Sequence, residues 1–335
     1  MSSKNITIYG AGISGLSAAI NLAKNNFNVE VREKRGKIGG SSSWHPSVHQ
    51  QAFDLAKTSE YIDIDITPCF QPVTKHTFYF YGRKVEIHAP VDSYVCEKGQ
   101  RPSSIESYLY SEAKNIGVRF VFGEAFDPRN IERLNKGAHK CIVATGLEDK
   151  AYRELDIKYA SIQGFRSHKT ASNEDFAISY FGKYTNDDFA YLASCGDLLF
   201  CLLFSRRGVS KNNLEAFQRH LFKSENFSFD DWHFSSGCVP LEKNFVKKGA
   251  VLAGTISGMI DPFYLNGISA ALISGKIAAL YFTDRKRAFR EFKLFSRNFY
   301  IKKGLKLISE KLPVKKFSFP LIAQINNRLK WVGVI

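Results

Sequence analysis

Over the first thirty residues the apolar positions change period twice, and each change marks a new element. Ile6-Thr7-Ile8-Tyr9 is a short β-branched and aromatic run and reads as a strand. Ile13, Leu16, Ile20 and Ala23 then recur at helical spacing, and Val29-Glu30-Val31-Arg32 returns to strand character and ends at Glu33. Further on, Thr77 to His88 reads as a hairpin turning at Tyr81-Gly82-Arg83, and Ser103 to Asn115 as a helix with Ser103 or Ser104 as N-cap. Residues 118–122 and 140–143 are short buried strands, the second ending in Ala144-Thr145-Gly146. From Ile157 to Phe204 the style changes to consecutive strand runs (157–165, 176–181, 188–194, 197–204), which is an antiparallel sheet. A helix over Lys211–Lys223 follows. Val251 to Gly254 resumes the α/β style, and Gly267 to Phe282 is a helix rich in small residues.

That order predicts an α/β fold in which a nucleotide-binding domain is interrupted by a second, antiparallel-sheet domain of α+β type. The first comprises 1–67, 99–155 and 246–284, the second 68–98 and 156–245, and a basic amphipathic region closes the chain at 285–335. Ligands of such proteins lie at the junction.

The first strand and helix are joined by Gly10-Ala11-Gly12-Ile13-Ser14-Gly15. In that setting Gly10 permits a tight turn, Gly12 lets backbone approach a pyrophosphate, and Gly15 lets the helix lie close to the strand. The free N–H groups and dipole of the helix start then face the phosphates. Glu33, ending the second strand, is placed to accept both hydroxyls of a ribose.

Composition narrows the class. Hydrophobic residues make up 44% and charged residues 24% of 335, as in a folded soluble protein. No apolar run reaches the ~18 residues that span a bilayer, and the early apolar stretch is the nucleotide motif rather than a signal peptide. Six scattered cysteines form no C-x-x-C pair or metal-like cluster, which fits free thiols in a reducing cytoplasm. The net charge of +15 is unevenly placed: residues 285–335 hold 14 Lys/Arg and 2 Asp/Glu.

Three separated segments must converge on one long ligand: the opening motif with Glu33, Cys141 to Gly146, and Gly254-Thr255-Ile256-Ser257-Gly258 with Asp261-Pro262 and the helix opening at Gly267-Ile268. NAD needs only the first. FAD is longer, and the N–H groups at Gly267-Ile268 suit the pyrimidine end of a flavin, where negative charge gathers on reduction.

Through GAGISGLSAAINLA, EKRGKIGG, CIVATG and GTISGMIDPFYLNGISAALISGKIAA, residues 1–283 resemble the FAD-dependent oxidoreductases of the geranylgeranyl reductase and p-hydroxybenzoate hydroxylase type. The resemblance implies a Rossmann-like, glutathione-reductase-type FAD-binding domain. It places Gly10, Gly12 and Gly15 on the pyrophosphate, Glu33 on the adenosine ribose, and Arg35 and Gly40 beside the diphosphate and ribityl chain. Phe126 would abut the adenine, and Gly267 and Ile268 would meet the flavin. Arg101 falls near the family's flavin-side arginine, with Lys98 as rival. Gly146 closes the second segment. The family's Gly-Asp reads Gly254-Thr255 here, a neutral hydroxyl in place of a carboxylate, and Asp261 nearby serves a different contact. A Tyr-Gly-Trp segment common in the reductases is replaced by Ser194-Cys195-Gly196-Asp197, and no cysteine pair follows Gly39-Gly40 as in the disulfide reductases.

The implied activity is reduction of C=C bonds in an isoprenoid or other apolar lipid-like substrate, with NAD(P)H or a ferredoxin docking transiently as electron donor. A flavin-dependent monooxygenase and a non-catalytic prenyl-lipid carrier are the alternatives. No metal site and no catalytic residue is assigned. His45 and His49 are read mainly as surface-loop residues and secondarily as proton donors, and Phe78 and Phe80 as sheet packing or a pocket wall. Asp187-Asp188 and Asp230-Asp231 are read as solvated turn residues. In the tail, Ala288, Phe292, Phe295 and Phe299, then Ile301, Leu305, Ile308 and Leu312, keep helical spacing among many basic residues that include Lys302 and Lys306. This is a helix docked on the body with a solvated basic face, or one lying on an anionic membrane surface; no nucleic-acid module is recognisable. The expected location is cytoplasmic, with a peripheral place on the inner face of the membrane if the tail binds lipid.

Overall fold

The computed structural model describes residues 5–39, 44–73, 76–87, 92–129, 140–171, 174–329 and 333. Gly40, expected beside a diphosphate, lies outside them. The chain opens with β1 (Asn5–Tyr9), α1 (Ile13–Lys24) and β2 (Asn28–Glu33). Next come β3 (Ser47–Ala52), α2 (Leu55–Ile62), β4 (Gln71–Pro72), the hairpin β5 (His76–Phe80) and β6 (Arg83–Ile87), and β7 (Ser93–Lys98). Then follow α3 (Ile105–Asn115), capped by Ser104, β8 (Arg119–Phe122), β9 (Lys140–Val143) and α4 (Asp149–Glu154). The antiparallel run is β10 (Tyr159–Thr170), β11 (Phe176–Phe181), β12 (Phe189–Cys195), β13 (Leu198–Ser205), α5 (Lys211–Glu225) and β14 (His233–Pro240). Last come β15 (Val246–Lys247), β16 (Ala250–Leu252), α6 (Ile268–Leu280), α7 (Arg285–Phe295), α8 (Phe299–Lys311) and α9 (Lys315–Arg328).

The described strands form three sheets. The first has the order β15-β16-β9-β1-β2-β8, parallel except at β15; Ile8 lies between Val31 and Ile142. This is the Rossmann-like layer, and α1, α3 and α6 pack against it. The second, β14-β10-β13-β12-β11-β5-β6, is antiparallel except where β5 runs parallel to β11. The third, β3-β7-β4, was not foreseen; β7 precedes α3 and β3 follows the glycine loop. Among the described residues, no helix is long and apolar enough to cross a membrane. The cysteines at 69, 96, 141, 195, 201 and 238 are free and buried.

Close packing of α1 on its neighbours needs glycine at two places. A Cβ on Gly15 would stand 1.9 Å from the Gly10 carbonyl oxygen, and one on Gly275 would stand 2.5 Å from the Ser14 oxygen. So α6 lies directly on α1, with the Ser17 hydroxyl donating to the Leu272 carbonyl at 2.8 Å. α6 is apolar on all sides because it is enclosed: Leu272, Ile273 and Ile277 have no exposed surface. Each such side chain contributes roughly 1.5–3 kcal/mol.

The tail departs most from expectation. It forms three helices, and Lys302 and Lys306 point inward instead of joining a solvated face. Lys302 Nζ lies 3.0 Å from the Asp261 carboxylate, both fully buried. Lys306 Nζ lies 3.1 Å from Asp188, which also holds Arg206 at 2.8 Å. Asp188 is therefore a buried anchor and not a solvated turn residue. The physical reason is pairing: a cation can leave water when a carboxylate on another element meets it. Nothing local in the sequence reveals such a partner.

Candidate functional site

A single cleft of about 1490 Å³ runs from the first βα turn to the inner face of the seven-stranded sheet. That exceeds the ~300–1,000 Å³ that accommodates one small ligand and leaves room for a dinucleotide and a second molecule. Gly10, Gly12, Glu33, Arg35, Phe126 and Gly146 line one end. Thr255, Gly267 and Ile268 line it farther along. The two termini of the expected ligand, separated by more than 250 positions in sequence, thus share one groove.

The βα end is built for an anion. Gly12 precedes α1 in extended conformation, and a Cβ there would meet open space. Gly10 adopts φ +107°, and a Cβ would strike the Ala144 oxygen at 2.5 Å, so the two strand ends touch only because Gly10 lacks a side chain. Glu33 is buried; its carboxylate accepts from the Ala11 N–H at 2.9 Å and the Arg35 N–H at 3.2 Å. Among the described residues, Arg35 Nη1 and Thr145 Oγ1 are buried with no hydrogen-bond partner. Two orphaned donors on the wall of a glycine cradle are costly unless a ligand satisfies them. Phe126 packs edge-on against Tyr9 at 5.3 Å and forms an apolar wall at this end.

The other end is set by the start of α6. Gly267 is its N-cap, and the Ser269 N–H donates to Gln51 Oε1 at 3.1 Å, so β3 fixes the helix tip. The first-turn N–H groups lacking intrahelical partners make this tip a partial positive charge.

Several expected contacts are placed elsewhere. Gly15 and Gly254 are packing positions: a Cβ on Gly254 would meet Ser14 Oγ at 2.4 Å, and its N–H donates to Ser274 Oγ at 2.7 Å. Asp261 faces away from the cleft, accepts from the Phe263 and Tyr264 N–H groups at 2.9 and 3.1 Å, and pairs with Lys302. Arg101 is outside the lining as well, held by Glu97 at 3.0 Å and by Asp197. Lys98 lines the cleft in its stead, 4.0 Å from the buried Glu106. The strand boundary explains this: β7 ends at Lys98, and Arg101 lies beyond it on a turn. Burial raises the Glu106 carboxyl above its ordinary range, opposed by the Lys98 charge and the Gly99 N–H.

His45 and His49 line the cleft, so they are not surface-loop residues. Each has a ring nitrogen on Ser47 Oγ, at 2.6 and 3.0 Å, and His49 stacks on Phe200. Burial, helped by the Lys98 charge, pushes both imidazoles down, His49 to about 3. A base whose folded pKa is depressed withdraws stability as pH falls through its unfolded value of about 6.5. We expect NMR titration to show a neutral His49 ring down to about pH 3, unlike a free imidazole.

The rest of the cleft is an aromatic chamber. Phe78, Phe181, Phe189, Tyr191, Phe200 and Phe204 line it from four strands. Phe78 belongs to a pocket wall, while Phe80 packs on Phe181 and Phe319. Trp44, overlooked in the sequence, ties the segment before β3 to β14: its indole N–H donates to the Ser236 carbonyl at 3.1 Å. A lone tryptophan after a glycine loop was the available signal. Gln324, Asn327 and Arg328 of α9 also line the cleft, which no local pattern announces.

Comparison with known proteins agrees with this architecture. Residues 8–57 match the model of an NAD(P)-binding Rossmann-like domain. No curated protein matches the chain. Among solved structures, the chain is similar to a geranylgeranyl bacteriochlorophyll reductase-like protein from Thermoplasma acidophilum, with 15% identity, TM-score 0.70, and 99% of this chain and 93% of that one covered. It is also similar to a flavin-dependent brominase (14%, TM-score 0.64, 96% and 92%) and to 2-methyl-3-hydroxypyridine-5-carboxylic acid oxygenase (12%, TM-score 0.62, 100% of both). The chain shares with these structures a fold in which a Rossmann-like layer carries an antiparallel sheet and is followed by helices.

Proposed function

We propose that the chain binds FAD along this cleft and acts as an FAD-dependent oxidoreductase on an apolar, lipid-like substrate, reducing C=C bonds of an isoprenoid. The observation that carries the reading is the continuity of the glycine cradle with the aromatic chamber. Gly10, Gly12 and the start of α1 would hold the diphosphate, and Glu33 a ribose. Arg35 Nη1 and Thr145 Oγ1 would give their unused donors to the same ligand. The tip of α6 at Gly267-Ile268 would offer its N–H groups to the pyrimidine end of the ring. Bound FAD supplies two-electron redox chemistry, with NAD(P)H or a ferredoxin as transient donor.

The chain's own groups then shape the site. The aromatic walls exclude water and favour apolar matter. Lys98 brings a positive charge to the cleft, and the neutral His45 and His49 bring hydrogen bonds without charge. A depressed imidazole is a weak acid reservoir at neutral pH, so neither histidine is assigned the proton donated to substrate.

Solved structures similar in fold include an oxygenase, which keeps monooxygenation as a second reading. One experiment separates the two. The purified protein is expected to be yellow, with absorbance near ~450 nm. After anaerobic photoreduction, geranylgeranyl lipids should restore the oxidised spectrum without oxygen. Reoxidation only by oxygen, with uptake coupled to substrate, would establish the monooxygenase instead. A colourless protein that takes up no FAD removes both and leaves the carrier.

A further inference from the structure

α8 is folded with its polarity reversed. It buries Phe299, Lys302, Lys306 and Ser309, and it exposes Tyr300, Ile301, Leu307 and Ile308, each about half accessible. At 100° per residue the exposed four fall on one continuous face. α9 adds a second stripe: Val314 at its N-cap, then Phe317, Leu321 and Ile325, are 66%, 61%, 59% and 42% exposed. The three on the helix are spaced at four residues and stack along one side. With Phe289 and Leu294 of α7, ten of the fourteen exposed large apolar side chains among the described residues lie in this tail. A helix facing water would be expected to do the reverse.

Within residues 285–335 the exposed charges have one sign. Lys286, Arg290, Lys293, Arg297, Lys311, Lys316 and Arg328 are exposed. The two acids of the tail are turned inward, Glu291 onto Tyr61 and Arg287, and Glu310 onto Lys306 and Arg207. An apolar face framed by cations alone repels a second copy of itself. It matches a surface that is apolar beneath and anionic at its rim.

We propose that α8 and α9 lie on an anionic lipid bilayer, with Ile301, Leu307, Ile308, Phe317, Leu321 and Ile325 entering the headgroup–acyl boundary and the exposed lysines and arginines meeting lipid phosphates. The helices rest on the bilayer rather than cross it, because none described is long enough to span. Arg328 and Gln324 share the outer side of α9 with the stripe, and both line the cleft. A lipid-like substrate therefore reaches the aromatic chamber beside the helix that touches the membrane. This last step rests on the proposed function; the docking itself does not.

The test is vesicle flotation of the full chain, read without turnover. Wild type floats with phosphatidylcholine vesicles containing phosphatidylglycerol, stays behind with phosphatidylcholine alone, and is released by salt. Phe317→Ser/Leu321→Ser/Ile325→Ser loses about tenfold or more of the partition, because apolar burial is part of the binding. Lys286→Gln/Arg290→Gln/Lys293→Gln loses roughly fivefold per charge removed. These residues are exposed, so both variants keep the wild-type melting curve. Equal flotation with neutral and anionic vesicles overturns the proposal, and so does an apolar variant that floats like wild type. A wild-type dimer that the apolar variant fails to form, with no vesicle binding, assigns the face to self-association instead. Flavin content is unaffected in either variant, so failure here and failure of the redox reading are distinguishable.

Discussion

Gly15→Ala is expected to destabilise the nucleotide layer, whereas Gly12→Asp is expected to leave the fold intact and abolish cofactor binding. The two glycines lie three positions apart, yet their surroundings differ. A methyl group on Gly15 would stand 1.9 Å from the Gly10 oxygen and 3.1 Å from its carbonyl carbon. Gly10 has no room to retreat, because its N–H donates to the Arg32 carbonyl at 2.8 Å and its Cα side abuts Ala144. α1 must therefore lift off β1 and off α6, at about 3 kcal/mol, the upper end for overpacking. Urea unfolding should show the midpoint falling at unchanged slope. At Gly12 a Cβ meets open space, so thermal unfolding of Gly12→Asp should match wild type. Its carboxylate shares the cradle with the diphosphate. Like charges about 4 Å apart near a protein surface repel by about 4 kcal/mol, close to a thousandfold in affinity. Copurified flavin should drop to a trace. Stoichiometric FAD in Gly12→Asp would refute the placement of the diphosphate at Gly12.

That contrast shows why the βαβ start was legible and the cleft's far wall was not. Gly10, Gly12, Gly15 and Glu33 act through local geometry, and spacing along the chain encodes it. The same holds for the turn at Tyr81-Gly82, the Ser104 cap, and the paired runs that became β10 to β13. Asp261 looked like a ligand contact because it follows a glycine turn, but its partner is Lys302, 41 residues on in α8. Ile301 and Ile308 keep the spacing of a buried face, yet they point outward because Lys302 and Lys306 find carboxylates inside. Periodicity detects a helix and an apolar stripe. It does not say which side of the helix is enclosed when both sides have a partner. β3 and β7 were missed for a related reason: Ser47-Val48-His49-Gln50-Gln51 is polar, and it pairs as a strand because His49, Gln50 and Ala52 border the cleft instead of a dry core.

Asp188→Ala is expected to cost about 3–5 kcal/mol, because it would strand the buried Lys306 and the partly buried Arg206. The Asp188 carboxylate accepts from Arg206 Nη2 at 2.8 Å and Nε at 3.1 Å, from the Arg206 backbone N–H at 2.7 Å, and lies 3.1 Å from Lys306 Nζ. Arg206 also donates to the Pro262 carbonyl at 2.9 Å, so one carboxylate links the seven-stranded sheet, α8 and the loop leading to α6. Burial alone would raise the Asp188 carboxyl, but Lys306 and Arg206 outweigh it and hold it at about 2. The folded value lies below the unfolded value of about 3.9, so the stability this group contributes is complete above pH ~4 and lost as pH falls through 2. Acid unfolding curves of wild type should therefore steepen between about pH 4 and pH 2, and those of Asp188→Ala should lack that limb. A double-mutant cycle with Lys306→Met identifies the partner: removing Lys306 should cost less in Asp188→Ala than in wild type, by about 1–3 kcal/mol. Additive losses would mean that Lys306 is buried for its packing, and α8 would then be held by Phe299, the Lys302–Asp261 pair and the Glu310–Arg207 pair without help from Asp188. Because α8 presents the outward apolar face, the strength of this internal pairing also sets how firmly that face is held against the body.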